Sequence, residues 1–212
     1  MNRRSLGRMA ASLAAIAVLA LPLAARAADE APDALIKRLS SDTLDAIKAD
    51  SSLRGGDINK VIALVDSKIM PNVNFQRMTA AAVGPQWRQA TPDQRSRLQQ
   101  EFKTLLVRTY AGALSQVSDQ SISVKPLRAD PADKEVVVRT EVIGRGDPIQ
   151  LDYRLEKTPG EGAGWKIYNL NVLGVWLVET YRSQFAQQLS SGGIDGLIQT
   201  LVKRNQTNEK KS

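Results

Sequence analysis

Near residue 120 the chain changes period, and that change limits it to few folds. From residue 98 to 117 apolar residues recur at helical spacing, with Leu98, Phe102, Leu105, Leu106, Thr109, Tyr110, Ala113, Leu114 and Val117 on one stripe. Arg95, Arg97, Gln100, Lys103 and Arg108 occupy much of the remaining surface. Beyond it the period falls to two. Residues 121–128, 135–143, 149–157 and 165–172 read as strands, and Ile149, Leu151, Tyr153 and Leu155 alternate with Gln150, Asp152, Arg154 and Glu156. The linkers Asp130-Pro131, 144–148 and 159–164 are turn chemistry, so an antiparallel meander follows. Helices gathered before and after such a sheet give an α+β domain: a curved antiparallel sheet of four strands, or slightly more, covered by amphipathic helices.

Caps and breaks set the helices. Residues 31–50 carry Leu35, Ile36, Leu39, Thr43, Leu44 and Ile47 at helical spacing, and Gly55-Gly56 interrupts the chain. Asp57 caps a second helix that Pro71 ends, and Asn74 caps a third that Gly84-Pro85 stops. Thr91-Pro92 followed by Asp93 starts the long helix. Residues 170–178 form the most apolar run after the N-terminus. A helix over 178–189, a break at Gly192-Gly193 and a last helix over 194–204 follow, with a polar tail over 206–212.

The first 27 residues read as a signal peptide. Arg3, Arg4 and Arg8 precede an apolar stretch from Ala10 to Leu21, and Ala25-Arg26-Ala27 is a small-x-small cleavage site before Ala28. An uncleaved anchor would want about 20 apolar residues. Residues 28–205 then form a single domain. Loss of four basic residues with the signal lowers the net charge from +7 to +3, too little to point to nucleic acid.

The chain has no cysteine and no histidine. That removes Ser-His-Asp and Cys-His nucleophiles and makes a catalytic zinc a poor fit. Carboxylate-only chemistry stays open, with Asp152 and Glu156 as the conceivable pair. Pattern alone favours a filled core, with Trp87, Tyr110, Tyr153, Trp165, Tyr168 and Trp176 as core or rim aromatics. Arg88, Arg95, Arg97, Arg108, Arg145, Arg154 and Arg182 read mostly as solvated surface, or as contacts for an anionic headgroup or a partner.

A longer pattern then emerges. Val65-Asp66, Ile69, Pro71, Val73, Phe75, Met78, Gly84, Trp87-Arg88, Thr91-Pro92, Gln94-Arg95 and residues 105–110 lie in order in the first half. Pro148-Ile149, residues 151–155, 164–168, Gly174-Val175, Tyr181-Arg182, Phe185 and 193–197 follow in the second. Together they resemble the MlaC or toluene-tolerance family of periplasmic lipid-binding proteins, over residues 35–201. Asn74 stands where the family commonly has an acidic residue, and Trp176 where it often has a small polar one.

The resemblance implies an apolar pocket between sheet and helices, in place of the filled core. Phospholipid tails would lie inside it with the headgroup near solvent. Val73, Leu106, Tyr110, Val138, Leu151, Tyr153, Val172, Val175 and Trp176 are its expected lining. It implies no enzyme activity and no cofactor, phospholipid being the bound ligand. It further implies shuttling between an outer-membrane lipoprotein–porin complex and an inner-membrane complex of an MCE protein with an ABC transporter. A hopanoid or other polycyclic lipid as cargo, an exported enzyme using Asp152 or Glu156, and a ligand-free adaptor remain as alternatives.

Overall fold

The computed structural model describes residues 30–209 apart from 115, 116, 118 and 131; the signal segment 1–27 and residues 210–212 lie outside the described residues. The order of elements is α1 (Pro32–Ala49), α2 (Ser51–Arg54), α3 (Ile58–Leu64), α4 (Phe75–Val83), α5 (Pro92–Leu114), β1 (Ser121–Val124), β2 (Glu135–Ile143), β3 (Ile149–Lys157), β4 (Trp165–Val172), β5 (Val175–Trp176) and α6 (Leu177–Glu209). The sheet is an antiparallel meander in the order β1-β2-β3-β4-β5. Among the described residues it has five strands, within the four or slightly more that the sequence predicts.

Side chains fix the helix starts. Asp50 ends α1 and accepts from the amides of Ser52 and Leu53 at 2.8 and 3.4 Å. Asp57 does the same for Asn59 and Lys60, and Asn74 for Arg77 at 2.9 Å. At α5 the Thr91 hydroxyl accepts from the Gln94 amide while the Gln94 carbonyl oxygen accepts from the Thr91 amide, a reciprocal capping box. Gly193 breaks the helical dihedrals inside α6 at φ 60°, and the helix then continues. It runs through residues 206–209, which the sequence reading assigns to the polar tail. The reason lies far away in sequence: buried Asn205 donates to the backbone carbonyl and carboxylate of Glu101 on α5 at 3.0 and 2.7 Å.

One irregularity decides what the sheet can do. Along β3, Arg154 pairs with Asn169 while the adjacent Leu155 pairs with Ile167, so Tyr168 is an extra residue on β4. Strict alternation over residues 165–172 would put Trp165 and Ile167 on one face and Leu170 and Val172 on the other. The bulge turns all four to the same face. Tyr168, Asn169 and Asn171 go to the opposite face with Glu135, Asp152, Arg154 and Glu156.

Among the described residues the buried apolar side chains fall into three clusters. One joins α4, α5 and α6 around Phe102, whose ring lies 5.7 Å from Phe75, 4.9 Å from Tyr181 and 5.3 Å from Phe185. A second packs Leu35, Ile36 and Leu39 of α1 on Val136, Val138, Leu155, Trp165 and Ile167 of the sheet. A third joins Ile47, Leu53, Val61, Leu64 and Ala111. Val73 packs against the first two, pinned by the bond from the Asn74 amide to the Ile167 carbonyl at 2.8 Å. A chain of this size ordinarily gathers one contiguous core; here apolar side chains remain between three.

Candidate functional site

The inner face of the sheet carries its apolar residues in four rows, read directly from the strand register. The first is Val136–Leu155–Ile167 and the second Val138–Tyr153–Leu170. The third, Val124–Thr140–Leu151–Val172–Val175, crosses all five strands. The fourth is Ile122–Val142–Ile149. From Leu155 to Ile149 is six residues of β3, about 20 Å of strand.

Burial changes along these rows. In the first, Val136, Leu155 and Ile167 are 7%, 0% and 5% exposed. In the second, Val138 is sealed while Tyr153 and Leu170 are half-buried. In the third, Leu151 and Val172 are half-buried and Val175 is 51% exposed; in the fourth, Ile149 is 44% exposed. Helices approach the sheet closely at its flanks, α1 over β1 and β2, α4 and α6 over β4. Between those flanks Leu151, Val142 and Ile122, with Leu44 of α1, belong to none of the three clusters and keep accessible surface. The inner face thus runs from covered at Leu155 to exposed at Ile149 and Val175, and its partly accessible apolar stretch is termed the slot.

Few polar groups face this slot. The Thr140 hydroxyl donates to the Leu151 carbonyl within the sheet. The Tyr153 hydroxyl is hydrogen-bonded to Ser40 on α1, and burial pushes its pKa up to about 12. The residue as a whole is half-buried, between sealed Val138 and half-buried Leu170 in its row.

The expected lining residues divide accordingly. Leu151, Tyr153, Val172 and Val175 lie on the inner face together, and Val138 is there but fully sealed beneath α1. Leu106 and Val73 are half-buried at the border of the α4–α5–α6 cluster, and Tyr110, 37% exposed, lies one turn beyond Leu106 on α5. Trp176 is a correction. It pairs with Asn171 on the outer face, and the Arg154 guanidinium lies 4.0 Å from its ring centroid. Where pairing is regular, adjacent strand residues take opposite faces, so with Val175 opposite Val172 on the inner face Trp176 lies on the outer one. Leu170, Ile122, Val142, Ile149 and Ser40 were not singled out in the sequence; register, not residue type, brings them in.

The outer face is polar and heavily bonded. Asp152, expected on a wet face, is 4% exposed and accepts from the Thr140 amide at 3.3 Å and the Gln150 side chain at 2.6 Å. Glu156 accepts from Asn74 and Arg77 at 2.5 Å each. Arg77 also reaches Glu135 and stacks over Tyr168 at 3.6 Å. Asp152 and Glu156 each have partners of their own and do not form a pair facing a cavity. The Asn169 side-chain oxygen Oδ1 accepts from the Val178 amide at 3.1 Å and its side-chain Nδ2 donates to Glu179 at 2.8 Å, which fixes the start of α6. Among the described residues no group of His, Cys, Asp and Glu could hold a metal ion, and no helix is long and apolar enough to cross a membrane.

Comparison with known proteins bears on this slot. A family model described as MlaC protein matches residues 37–203. The toluene tolerance protein ttg2D of Pseudomonas putida is 27% identical over 85% of this chain and 82% of its own length. The intermembrane phospholipid transport system binding protein MlaC of Haemophilus influenzae is 25% identical over 81% of this chain and 80% of its own. A solved phospholipid-binding protein from Ralstonia solanacearum, in complex with a phospholipid, superposes with a TM-score of 0.80 at 48% identity, covering 84% of this chain and 98% of that one.

Proposed function

Because the chain belongs to the MlaC family, we propose that it is a soluble periplasmic carrier that holds phospholipid tails in the slot and ferries the lipid between membranes. The observation that carries this reading is the row Val124–Thr140–Leu151–Val172–Val175, an apolar surface crossing the whole sheet and left part-open between three packed clusters. The phospholipid complex of the Ralstonia protein supports it.

The physics of the cargo fits. Each buried methylene is worth about 0.8 kcal/mol, so a diacyl lipid with roughly 30 of them faces on the order of 20 kcal/mol if its tails cross water bare. A slot that keeps the tails dry removes most of that barrier without covalent chemistry, as suits a chain with no Cys or His. Residues 1–27 would direct export, and residues 28–205 would be the carrier domain. The name of the Haemophilus relative supports a place in an intermembrane system. The partners would be an outer-membrane lipoprotein–porin complex as one station and an inner-membrane MCE-protein–ABC transporter complex as the other.

The test is native mass spectrometry of protein purified without detergent, followed by solvent extraction. Phospholipid near one molecule per chain, reduced in Leu106→Trp with the circular dichroism spectrum unchanged, is the expected result. A polycyclic lipid in the extract would change the cargo. A chain that stays empty after incubation with vesicles would refute the carrier reading.

A further inference from the structure

We propose that Tyr153 is the stop that sets how deep an acyl chain can enter the slot, and so sets the chain length the protein selects. This rests on the carrier reading above and assigns one residue a measuring role within it.

The argument starts from the burial gradient. Beyond Tyr153 lies the first row, closed by Leu35, Ile36 and Leu39 of α1, with every one of these side chains 7% exposed or less. Before it lie Leu151 and Ile149, with accessible apolar surface. Tyr153 stands at the boundary, four residues and about 13 Å along β3 from Ile149. Its neighbours in the row are sealed Val138 and half-buried Leu170, so the boundary crosses three strands.

A residue that measures length must not move, and Tyr153 is held at both ends. Its backbone sits in the central strand, paired with Val138 and Leu170. Its hydroxyl is bonded to Ser40, from the helix that closes the floor. A leucine there, as the flanking Leu151 and Leu155 show, would satisfy the apolar pattern equally well. The phenol adds reach across the slot and a bond that prevents the ring from swinging aside for a longer tail.

The experiment uses single-chain lysophosphatidylcholines of increasing length, displacing a fluorescent lipid from lipid-stripped protein. For the unaltered chain, affinity should rise about fourfold per added methylene, the equivalent of about 0.8 kcal/mol each, and then break to a plateau. In Tyr153→Leu the rise should continue for roughly two more methylenes, giving about 15-fold tighter binding of the longest tails. Tyr153→Phe, which keeps the ring and loses the Ser40 bond, should break at the same length but less sharply. A rise without a break in the unaltered chain, or the same break in Tyr153→Leu, overturns the proposal. Failure to bind any lysolipid is a different result, and it falls on the carrier reading.

A second measurement needs no substitution. A lipid of plateau length with a diazirine at its terminal carbon, irradiated on the unaltered chain, should crosslink to Tyr153, Leu170 or Val138. Crosslinks confined to Ile149, Val142 or Ile122 would place the tail end at the mouth and overturn the proposal.

Discussion

The turn at the mouth of the slot holds a leucine in a conformation that leucine disfavours. Leu173 and Gly174 form a two-residue loop closing the Val172–Val175 pair, with φ of 53° and 86°. Two positive φ values in such a loop match the type I′ hairpin turn, whose preferred pair is Asn-Gly. A non-glycine residue in the left-handed region costs about 1–2 kcal/mol, and asparagine the least. Leu173 recovers little by packing, being 65% exposed. A fully buried leucine is worth about 2 kcal/mol, so its covered third contributes about 0.7 kcal/mol. Leu173→Asn should therefore stabilise the fold by about 0.5–1 kcal/mol, which for a domain of this size raises Tm by about 1–4 °C. The melt must be followed on lipid-stripped protein, because bound lipid stabilises the native state by its own affinity. An unchanged or lower Tm would mean that Leu173 makes contacts worth more than its exposure allows, and the strain argument would fail.

Two other expectations follow from the outer face. Asn169→Leu keeps the branching at Cγ in a larger side chain but leaves the Val178 amide and the Glu179 carboxylate without the partner they share. It should destabilise by about 2–3 kcal/mol, read as a fall in the urea midpoint at constant slope. The Glu135 carboxyl is held below its ordinary 4.5, chiefly by the hydrogen bond from Arg77 and then by that from Tyr168. The unfolded chain therefore takes up this proton first as pH falls, so the contribution is present above about 4.5 and disappears as pH falls through the lower folded value. Its side chain is 50% exposed, which limits the effect to under about 1 kcal/mol. Glu135→Gln should flatten the acid limb of a stability–pH curve by that amount, and an unchanged limb would show the contacts with Arg77 and Tyr168 to be without weight.

Local chemistry was legible in the sequence wherever one short segment decides the outcome. Thr91 as cap and Pro92 as first residue start α5 where the sequence places it, and β2, β3 and β4 have the limits that alternation and turn residues predict. What was not legible depends on partners distant in sequence. Residues 206–209 look like a polar tail until Asn205 is seen bonded to Glu101. β5 is only two residues long, too short for alternation to register, and it shares an apolar run with the start of α6. Trp176 was misplaced for the same reason. The resemblance implies a place for it in the pocket wall, but the two-residue turn sets Val175 inward and sends its neighbour to the outer face beside Arg154.

The bulge at Tyr168 is where local rule and site part company, and it explains why the slot is hard to read from residue types alone. Over residues 165–172 the sequence obeys no single alternation: Trp165 and Ile167 are out of phase with Leu170 and Val172. A regular strand would have to turn Asn169 and Asn171 to the apolar face beside Ile167, or turn Leu170 and Val172 to the polar one. One inserted residue removes the conflict, and both consequences bear on function. Leu170 and Val172 turn inward and extend the apolar rows of β2 and β3 to the edge at Val175, so the slot has a wall on β4 as well as a floor. Asn169 turns outward, where its side chain fixes the first turn of α6 through Val178 and Glu179. That helix carries Tyr181 and Phe185 into the cluster facing the slot from the helical side. The same irregularity thus sets the wall of the slot and anchors the helix packed beside it, so the apolar surface stays open without the two layers coming apart.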